Sequence, residues 1–208
     1  MTMRILFTGE GTSDKGLVPH VEAIAASLGT SVSVSAPDVG RLGLSQCHSV
    51  PEKLRALHKL GDDYDLIVVH RDSDRVPASE RRNEIAKAVA TEWSGQPHVA
   101  VVPVRMLEAW LLLDEVSIRQ IAENPNGRKS LDLPRGSAVE KMADPKKILK
   151  ETLATASEYT GRRLANFQKR FPQHRQKLLE RLDPDGPVSQ LASWQEFTFD
   201  VRKALQGV

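Results

Sequence analysis

The chain has 208 residues, of which 40% are hydrophobic and 27% charged, and its formal net charge is only +2. This composition is typical of a globular protein with one sizeable core, or with a core and a smaller appendage. No apolar run approaches the roughly 18 residues of a membrane span, and the chain enters a predicted strand without a signal-peptide pattern, so we expect a cytoplasmic protein with no membrane partner. The single cysteine, Cys47, excludes an internal disulfide and a cysteine-rich zinc site.

Strand and helix patterns alternate through the first half of the chain. Apolar runs predict four strands, at residues 4–8, 31–36, 65–70 and 98–104. Between them, apolar positions spaced by three and four predict a helix capped by Asp14, a helix opened by a capping box at Ser49 and Glu52, and a helix over residues 79–93. This alternation predicts an α/β fold, a Rossmann-like core with a mostly parallel four-stranded sheet.

The pattern changes after the fourth predicted strand. Residues 108–113 and 116–122 are predicted to be helical, and residues 123–137, rich in Asn, Pro, Gly and basic side chains, are predicted to form a loop. Every later periodic segment is helical. We therefore expect an α/β core at residues 1–122 and a helical C-terminal region at residues 123–208 that packs on it.

The charge is unevenly distributed between these parts. Residues 141–181 contain eleven Lys and Arg side chains against four acidic ones, a net charge of +7, which leaves −5 for the rest of the chain. A basic segment of this kind suits a polyanion such as DNA or RNA, although solvated helix faces would give the same pattern.

Carboxylates follow three of the predicted strands. Glu10 lies between two glycines after the first strand, Asp72 and Asp74 follow the third, and Glu108 follows the fourth. Ligands bind outside the carboxyl ends of the strands in an open α/β sheet, so these side chains are expected in one cleft. Several carboxylates repel each other unless a hard cation neutralises them, and Mg²⁺ prefers oxygen ligands. The sequence therefore predicts a metal site.

Simpler interpretations exist for most of these acidic residues. The aspartate pair is compatible with an Asx-type turn, and Glu108 with a favourable acid in the first turn of a helix. Glu10 has no such explanation, because Asp14 already supplies the helix cap. Of the neighbouring residues, His70 is interpreted as a partly buried, hydrogen-bonded histidine, and Arg71 as a surface arginine.

The strand followed by Glu-Gly and the later strand followed by Asp-x-Asp resemble the TOPRIM domain of topoisomerases, bacterial primases and overcoming-lysogenization-defect (OLD) nucleases. The chain is more similar to a family of uncharacterised bacterial TOPRIM-like proteins, many of them associated with phage defence. This resemblance spans nearly the whole chain and is carried by GEGTSD at 9–14, RDSD at 71–74, LEAWL at 107–111 and DPKK at 144–147.

The resemblance implies a TOPRIM-type core and a nuclease that depends on Mg²⁺ or Mn²⁺ and acts on DNA or RNA. It implies that Glu10 is a general acid/base or a metal ligand, and that Asp72 and Asp74 hold the cation. Glu108 would add an acidic ligand, as in the OLD-type site, and Lys146 or the lysine after it would steady the charge of the transition state.

Two other functions fit parts of the pattern. The first is a non-catalytic or conditionally active effector subunit that works with a partner ATPase, and cleavage by the isolated protein would distinguish it from a nuclease. The second is a phospho-receiver domain. That domain would need an acidic pair after the first strand and a lysine after a fifth, whereas the sequence offers only Glu10 and no fifth strand.

Overall fold

The structure is a computed structural model that describes residues 2–41 and 49–207. It confirms the predicted α/β fold, with four parallel strands in the order β2-β1-β3-β4. The strands are β1 (Met3–Thr8), β2 (Val32–Ser35), β3 (Leu66–His70) and β4 (His98–Val101). Cys47 lies outside the described residues.

The described residues also form α-helices, joined by turns and irregular segments. They are α1 (Val18–Ser27), α2 (Val50–His58), α3 (Ala78–Glu92), α4 (Glu108–Leu111), α5 (Glu115–Ile121), α6 (Pro145–Ser157), α7 (Gly161–Lys169), α8 (Phe171–Glu180) and α9 (Ala192–Gly207). Short 3₁₀ turns lie at Thr12–Leu17, Gly136–Lys141 and Pro187–Gln190. Within the described part, no helix is long and apolar enough to cross a membrane.

The two central strands, β1 and β3, carry the core of the sheet. Every residue of β3 is buried, as expected for a strand covered on both faces. On one face, Leu6, Ile67 and Val69 pack with apolar side chains of α2 and α3 such as Leu54 and Ile85.

Several element boundaries differ from the predicted ones. Strands β2 and β4 are shorter than predicted because each lies at an edge of the sheet and pairs with one neighbour. The first helix begins with a 3₁₀ turn whose N-cap is Gly11, and Asp14 stands at the third position of a capping box rather than at the cap. The capping box at Ser49 and Glu52 is confirmed.

The described chain forms two compact units. One comprises the residues up to Val102 together with those from Glu196 onward, and the other is Pro103–Gln195. The predicted boundary lies later, after residue 122. In the first unit, the C-terminal part of α9 is tied to α3, because Arg82 pairs with Glu196 at 2.5 Å and with Asp200 at 3.2 Å.

The second unit has its own core around Trp110. The indole Nε1 donates a hydrogen bond to Ser193 Oγ at 2.9 Å, and Ser193 Oγ donates to Glu140 Oε1 at 2.7 Å. The ring of Trp194 meets the Trp110 indole edge-on, with centroids 5.1 Å apart. The buried indole therefore has both an aromatic contact and a partner for its N–H, as such rings generally require.

Candidate functional site

The order of the strands brings two loops together at one point. From β1 the chain crosses to β2 on one side, whereas β3 and β4 lie on the other, so the crossover direction reverses between β1 and β3. Thr8 pairs with Val69, which means that β1 and β3 end side by side. Such a switch point is where ligands bind in open α/β sheets.

Glu10 and Asp72 meet at this switch point. Glu10 Oε1 accepts a hydrogen bond from the backbone N–H of Asp72 at 3.3 Å. The Glu10 side chain is 36% exposed and that of Asp72 is 14% exposed. Burial raises the pKa of Glu10, and repulsion by Asp72 raises it further, against the lowering effect of nearby cationic groups. The Glu10 carboxylate therefore lies against the backbone of Asp72, and the two carboxylates are near enough to repel each other.

His70 is fully buried between two carboxylates. Its Nδ1 lies 3.1 Å from Asp14 Oδ2 and its Nε2 lies 3.2 Å from Asp72 Oδ1. A carboxylate only accepts, so both ring nitrogens must donate, which requires the imidazolium form. Burial lowers the pKa of His70, but attraction by Asp14 and the hydrogen bonds to Asp14 and Asp72 outweigh it and raise that pKa to about 10. The prediction that His70 is hydrogen-bonded is confirmed, but its side chain is fully rather than partly buried.

The free energy of unfolding should fall as the pH rises from about 7 toward 10, because His70 has a higher pKa folded than unfolded. Its ordinary value is 6.5. The ion pairs of His70 therefore stabilise the protein fully below pH 6.5. This stabilisation is lost as the pH rises toward the pKa of about 10 that His70 has in the folded protein. Urea unfolding at pH 7 and pH 9.5 measures the slope, with His70→Gln as the control. Equal slopes for the two proteins would show that His70 is uncharged.

Asp14 holds the turn that carries Glu10. Its Oδ2 accepts from the N–H of Gly11 at 2.8 Å and faces His70 as well. The turn is fixed from the other side by Lys53, whose Nζ donates to the carbonyl oxygens of Gly9 and Glu10 at 2.8 and 2.7 Å. Asp14 is therefore not only a helix-capping residue, because it also compensates a buried charge.

Replacing Gly9 with Ala should destabilise the fold by about 1–3 kcal/mol, the usual cost of overpacking. A Cβ at Gly9 would lie 2.7 Å from the Cβ of Asp14, too close to be relieved by a side-chain rotation. Gly11→Ala is the matched control, because its Cβ meets nothing within 4 Å and its φ of −129° is extended. Chemical denaturation of the two variants measures the difference, and equal losses would contradict the close approach of Gly9 to Asp14.

Two arginines form ion pairs with the acidic residues around Glu10 and Asp72. Arg71 Nε lies 3.5 Å from Glu10 Oε1 and 3.8 Å from Glu84 Oε1. Arg81 pairs with Glu84 at 2.9 Å and with Asp74 at 3.7 Å. Asp74 adopts a left-handed backbone with φ of 53°, and its side chain is 46% exposed. Arg71 is only 21% exposed, so it is part of the site and not the surface arginine that was predicted.

The cluster around Glu10 and Asp72 combines acidic and basic groups. Its carboxylates come from five residues, Glu10, Asp14, Asp72, Asp74 and Glu84, and its ion-paired cationic groups from three, His70, Arg71 and Arg81. Lys53 adds an amine at the carbonyl oxygens of Gly9 and Glu10.

The carboxylates of Glu10 and Asp72 suit Mg²⁺ better than a metal that must be bound by three or more protein side chains. Within the described residues, no group of three His, Cys, Asp or Glu side chains is arranged to hold a metal ion. Mg²⁺ does not require one, because it keeps several waters and is usually bound through one or two carboxylates and substrate phosphates. Glu10 and Asp72 fit that role. The assignment of Asp74 as a further ligand stays a prediction.

A cavity of about 320 Å³ opens beside Glu10 in the first unit. The turn after β1 lines one side, and residues 36–40 after β2 line another. Lys15 and Lys53 contribute the basic side chains of its lining. The cavity is therefore large enough for a phosphate group and has both cationic and acidic walls.

Glu108 lies in the second unit, at the start of α4. It is 2% exposed, and its Oε1 accepts a hydrogen bond from Arg175 Nε at 2.8 Å. Its Oε2 is buried and has no hydrogen-bond partner among the described residues. Arg175 is one of the eleven basic residues of 141–181, but its side chain is only 7% exposed and does not contribute to a basic surface. The role of Glu108 as a metal ligand stays a prediction.

Lys146 also lies in the second unit, in the first turn of α6 after the N-cap Asp144. It is exposed and lines a second cavity, formed by α6, α7 and α8. Its proposed role at the transition state stays a prediction.

Comparison with known proteins gives no family for this chain. It matches no protein-family model, no curated protein and no solved structure. The resemblance to TOPRIM proteins therefore rests on the motifs alone and remains a prediction.

Some residues of the site could not be found from the sequence. Glu84 and Arg81 lie in α3 with helical spacing and carry no motif. The signal for His70 was present, since it ends a wholly apolar strand, but its partner Asp14 is 56 positions away. Its ionic role therefore depends on a contact that no local pattern shows.

Proposed function

We propose that this protein is a metal-dependent phosphodiesterase that acts on nucleic acid, with Mg²⁺ or Mn²⁺ held by Glu10 and Asp72. The observation that carries this proposal is the position of both residues at the switch point of the sheet, where Glu10 accepts from the N–H of Asp72 and the Asp72 charge raises the pKa of Glu10. A bound divalent cation would polarise a phosphoryl oxygen and lower the pKa of a bound water.

The side chains around the two carboxylates would each have a defined task. His70 would hold Asp72 in one orientation through the hydrogen bond at 3.2 Å. Arg71, beside Glu10, would attract the phosphate of the substrate and stabilise the charge that develops on it.

The basic helices of the second unit would bind the nucleic-acid backbone. Apart from the buried Arg175, the Lys and Arg side chains of α6, α7 and α8 are exposed, as are Lys141 and Arg181. Contacts with phosphates release counterions, so binding should weaken steeply with salt. This surface supports a polyanionic substrate over a small neutral one.

A cleavage assay with the purified full-length chain tests the proposal. Labelled single- and double-stranded DNA and RNA are incubated with Mg²⁺, with Mn²⁺ or with EDTA, and products are resolved on denaturing gels. We expect cleavage of at least one substrate with metal and none in EDTA. Asp72→Asn, purified in parallel, controls for contaminating nucleases. Failure to cleave any of the four substrates with either metal, or equal cleavage in EDTA, would contradict the proposal.

A further inference from the structure

The cavity between α6, α7 and α8 has an apolar wall and a cationic lining. Its volume is about 460 Å³, and Leu153, Phe167 and Phe171 supply the apolar part. Lys146 and Lys150, one turn apart on α6, supply the amines. Pockets of about 300–1,000 Å³ are the size that binds small organic ligands or parts of larger ones.

The two amines are not neutralised by the protein. Across residues 2–41 and 49–207, no carboxylate lies within ion-pair distance of Lys146 or Lys150. Lys150 Nζ lies 5.0 Å from the centre of the Phe171 ring, so its charge is held at the aromatic wall. A cavity with an apolar wall and two unpaired cations is complementary to an anion that carries a flat apolar group.

His174 adds a polar group to the same cavity. Its side chain is 5% exposed, and its ring packs against Phe167 with centroids 4.2 Å apart. In the described part of the chain, the ring nitrogens have no hydrogen-bond partner. Burial lowers the pKa of His174, and repulsion by Arg170 lowers it further, so the ring is neutral at pH 7. A neutral imidazole offers one donor and one acceptor to a ligand.

We infer that this cavity binds one unpaired nucleotide of single-stranded nucleic acid, with its base at the apolar side of the cavity beside Phe171 and His174 and its phosphate at Lys146 and Lys150. Bases bind on aromatic walls without strong sequence preference, and lysines follow the backbone. A base within a duplex is paired and stacked, so it cannot enter this cavity. This inference rests on the proposed function, which makes nucleic acid the substrate. It adds that the single-stranded form is bound and that one nucleotide lies in this cavity.

Fluorescence anisotropy with a labelled 15-nucleotide single strand, in EDTA and at low salt, tests the inference. The double variant Lys146→Gln with Lys150→Gln should bind on the order of tenfold more weakly, because two phosphate contacts are lost. Lys203→Gln, exposed on α9 and outside the basic helices α6, α7 and α8, is the control and should change affinity by less than about twofold. A duplex of the same length should bind more weakly than the single strand.

Several results would overturn the inference. They are the absence of binding, equal weakening per charge removed in the double variant and in Lys203→Gln, and a duplex that binds as tightly as the single strand. A mononucleotide that binds as tightly as the 15-mer would assign the cavity to a free nucleotide instead. Binding as expected in EDTA, together with no cleavage in the assays with Mg²⁺ and Mn²⁺, would remove the proposed function and leave this inference standing.

Discussion

Replacing Asp72 with Asn should reduce metal-dependent cleavage by on the order of 100-fold or more, because a cation contributes several kcal/mol to such a transition state and each 1.36 kcal/mol is tenfold in rate. Asn retains the shape of the side chain and an oxygen that can accept from His70, but it removes the charge that would hold the metal. Initial cleavage rates at saturating Mg²⁺ measure the effect.

The same substitution should also lower the stability modestly. From the sequence alone, deleting one charge from an acidic cluster would be expected to relieve repulsion and stabilise the protein without metal. The structure reverses that sign, because Asp72 also compensates the buried imidazolium of His70. We expect a loss of about 1 kcal/mol, since hydrogen bonds to charged groups contribute more than this and Asn keeps part of the bond.

Asp63→Asn is the matched control for the Asp72 variant. Asp63 is exposed, and the substitution makes the same chemical change away from the site. It should leave the cleavage rate and the melting temperature unchanged. If Asp72→Asn cleaved within about twofold of the unchanged protein, a metal role for Asp72 would be excluded, because losing a ligand costs far more.

Replacing Asp14 with Asn should lower the free energy of unfolding by about 3 kcal/mol at pH 7, the cost of removing one partner from a buried ion pair. Asp14 is 2% exposed and lies against a histidine that is itself buried. The variant protein must either keep a poorly compensated imidazolium or fold with a neutral His70 that cannot donate to both neighbours. Urea unfolding monitored by circular dichroism measures the loss.

Asp144→Asn is the control that separates this role from helix capping. Asp144 is the N-cap of α6 and accepts a hydrogen bond from the N–H of Lys147 at 2.9 Å. Asn caps helices about as well as Asp, so this variant should change the free energy of unfolding by only a few tenths of a kcal/mol. If Asp14→Asn were equally silent, Asp14 would be a capping residue and nothing more.

The fold and part of the site followed from local sequence patterns. Alternating apolar runs and helical spacings predicted the four parallel strands, because each element shows its own periodicity. Glu10 and Asp72 were predicted to converge because both follow strands, and they do so because β1 and β3 are neighbours. The strand order itself could not be predicted, since it depends on which face each crossover helix covers.

The remaining features depend on contacts that are distant in sequence. Asp14 had a sufficient local explanation as a helix cap, and that explanation concealed its pairing with His70. Arg175 looked like one more basic surface residue until α8 placed it on Glu108, 67 positions away. Burial changes the meaning of a charged residue, and burial is decided by the tertiary packing of helices rather than by local composition.

The most direct test of the metal centre is a crystal structure of the protein soaked in Mn²⁺, with data collected to show the anomalous signal of the metal. Glu10 and Asp72 are neighbours at the switch point of the sheet, and repulsion by Asp72 contributes to the raised pKa of Glu10. We therefore predict an anomalous peak within bonding distance of oxygens from both residues. Saturating Mn²⁺ that gives no peak there, or a peak only elsewhere in the molecule, would contradict the assignment of this site.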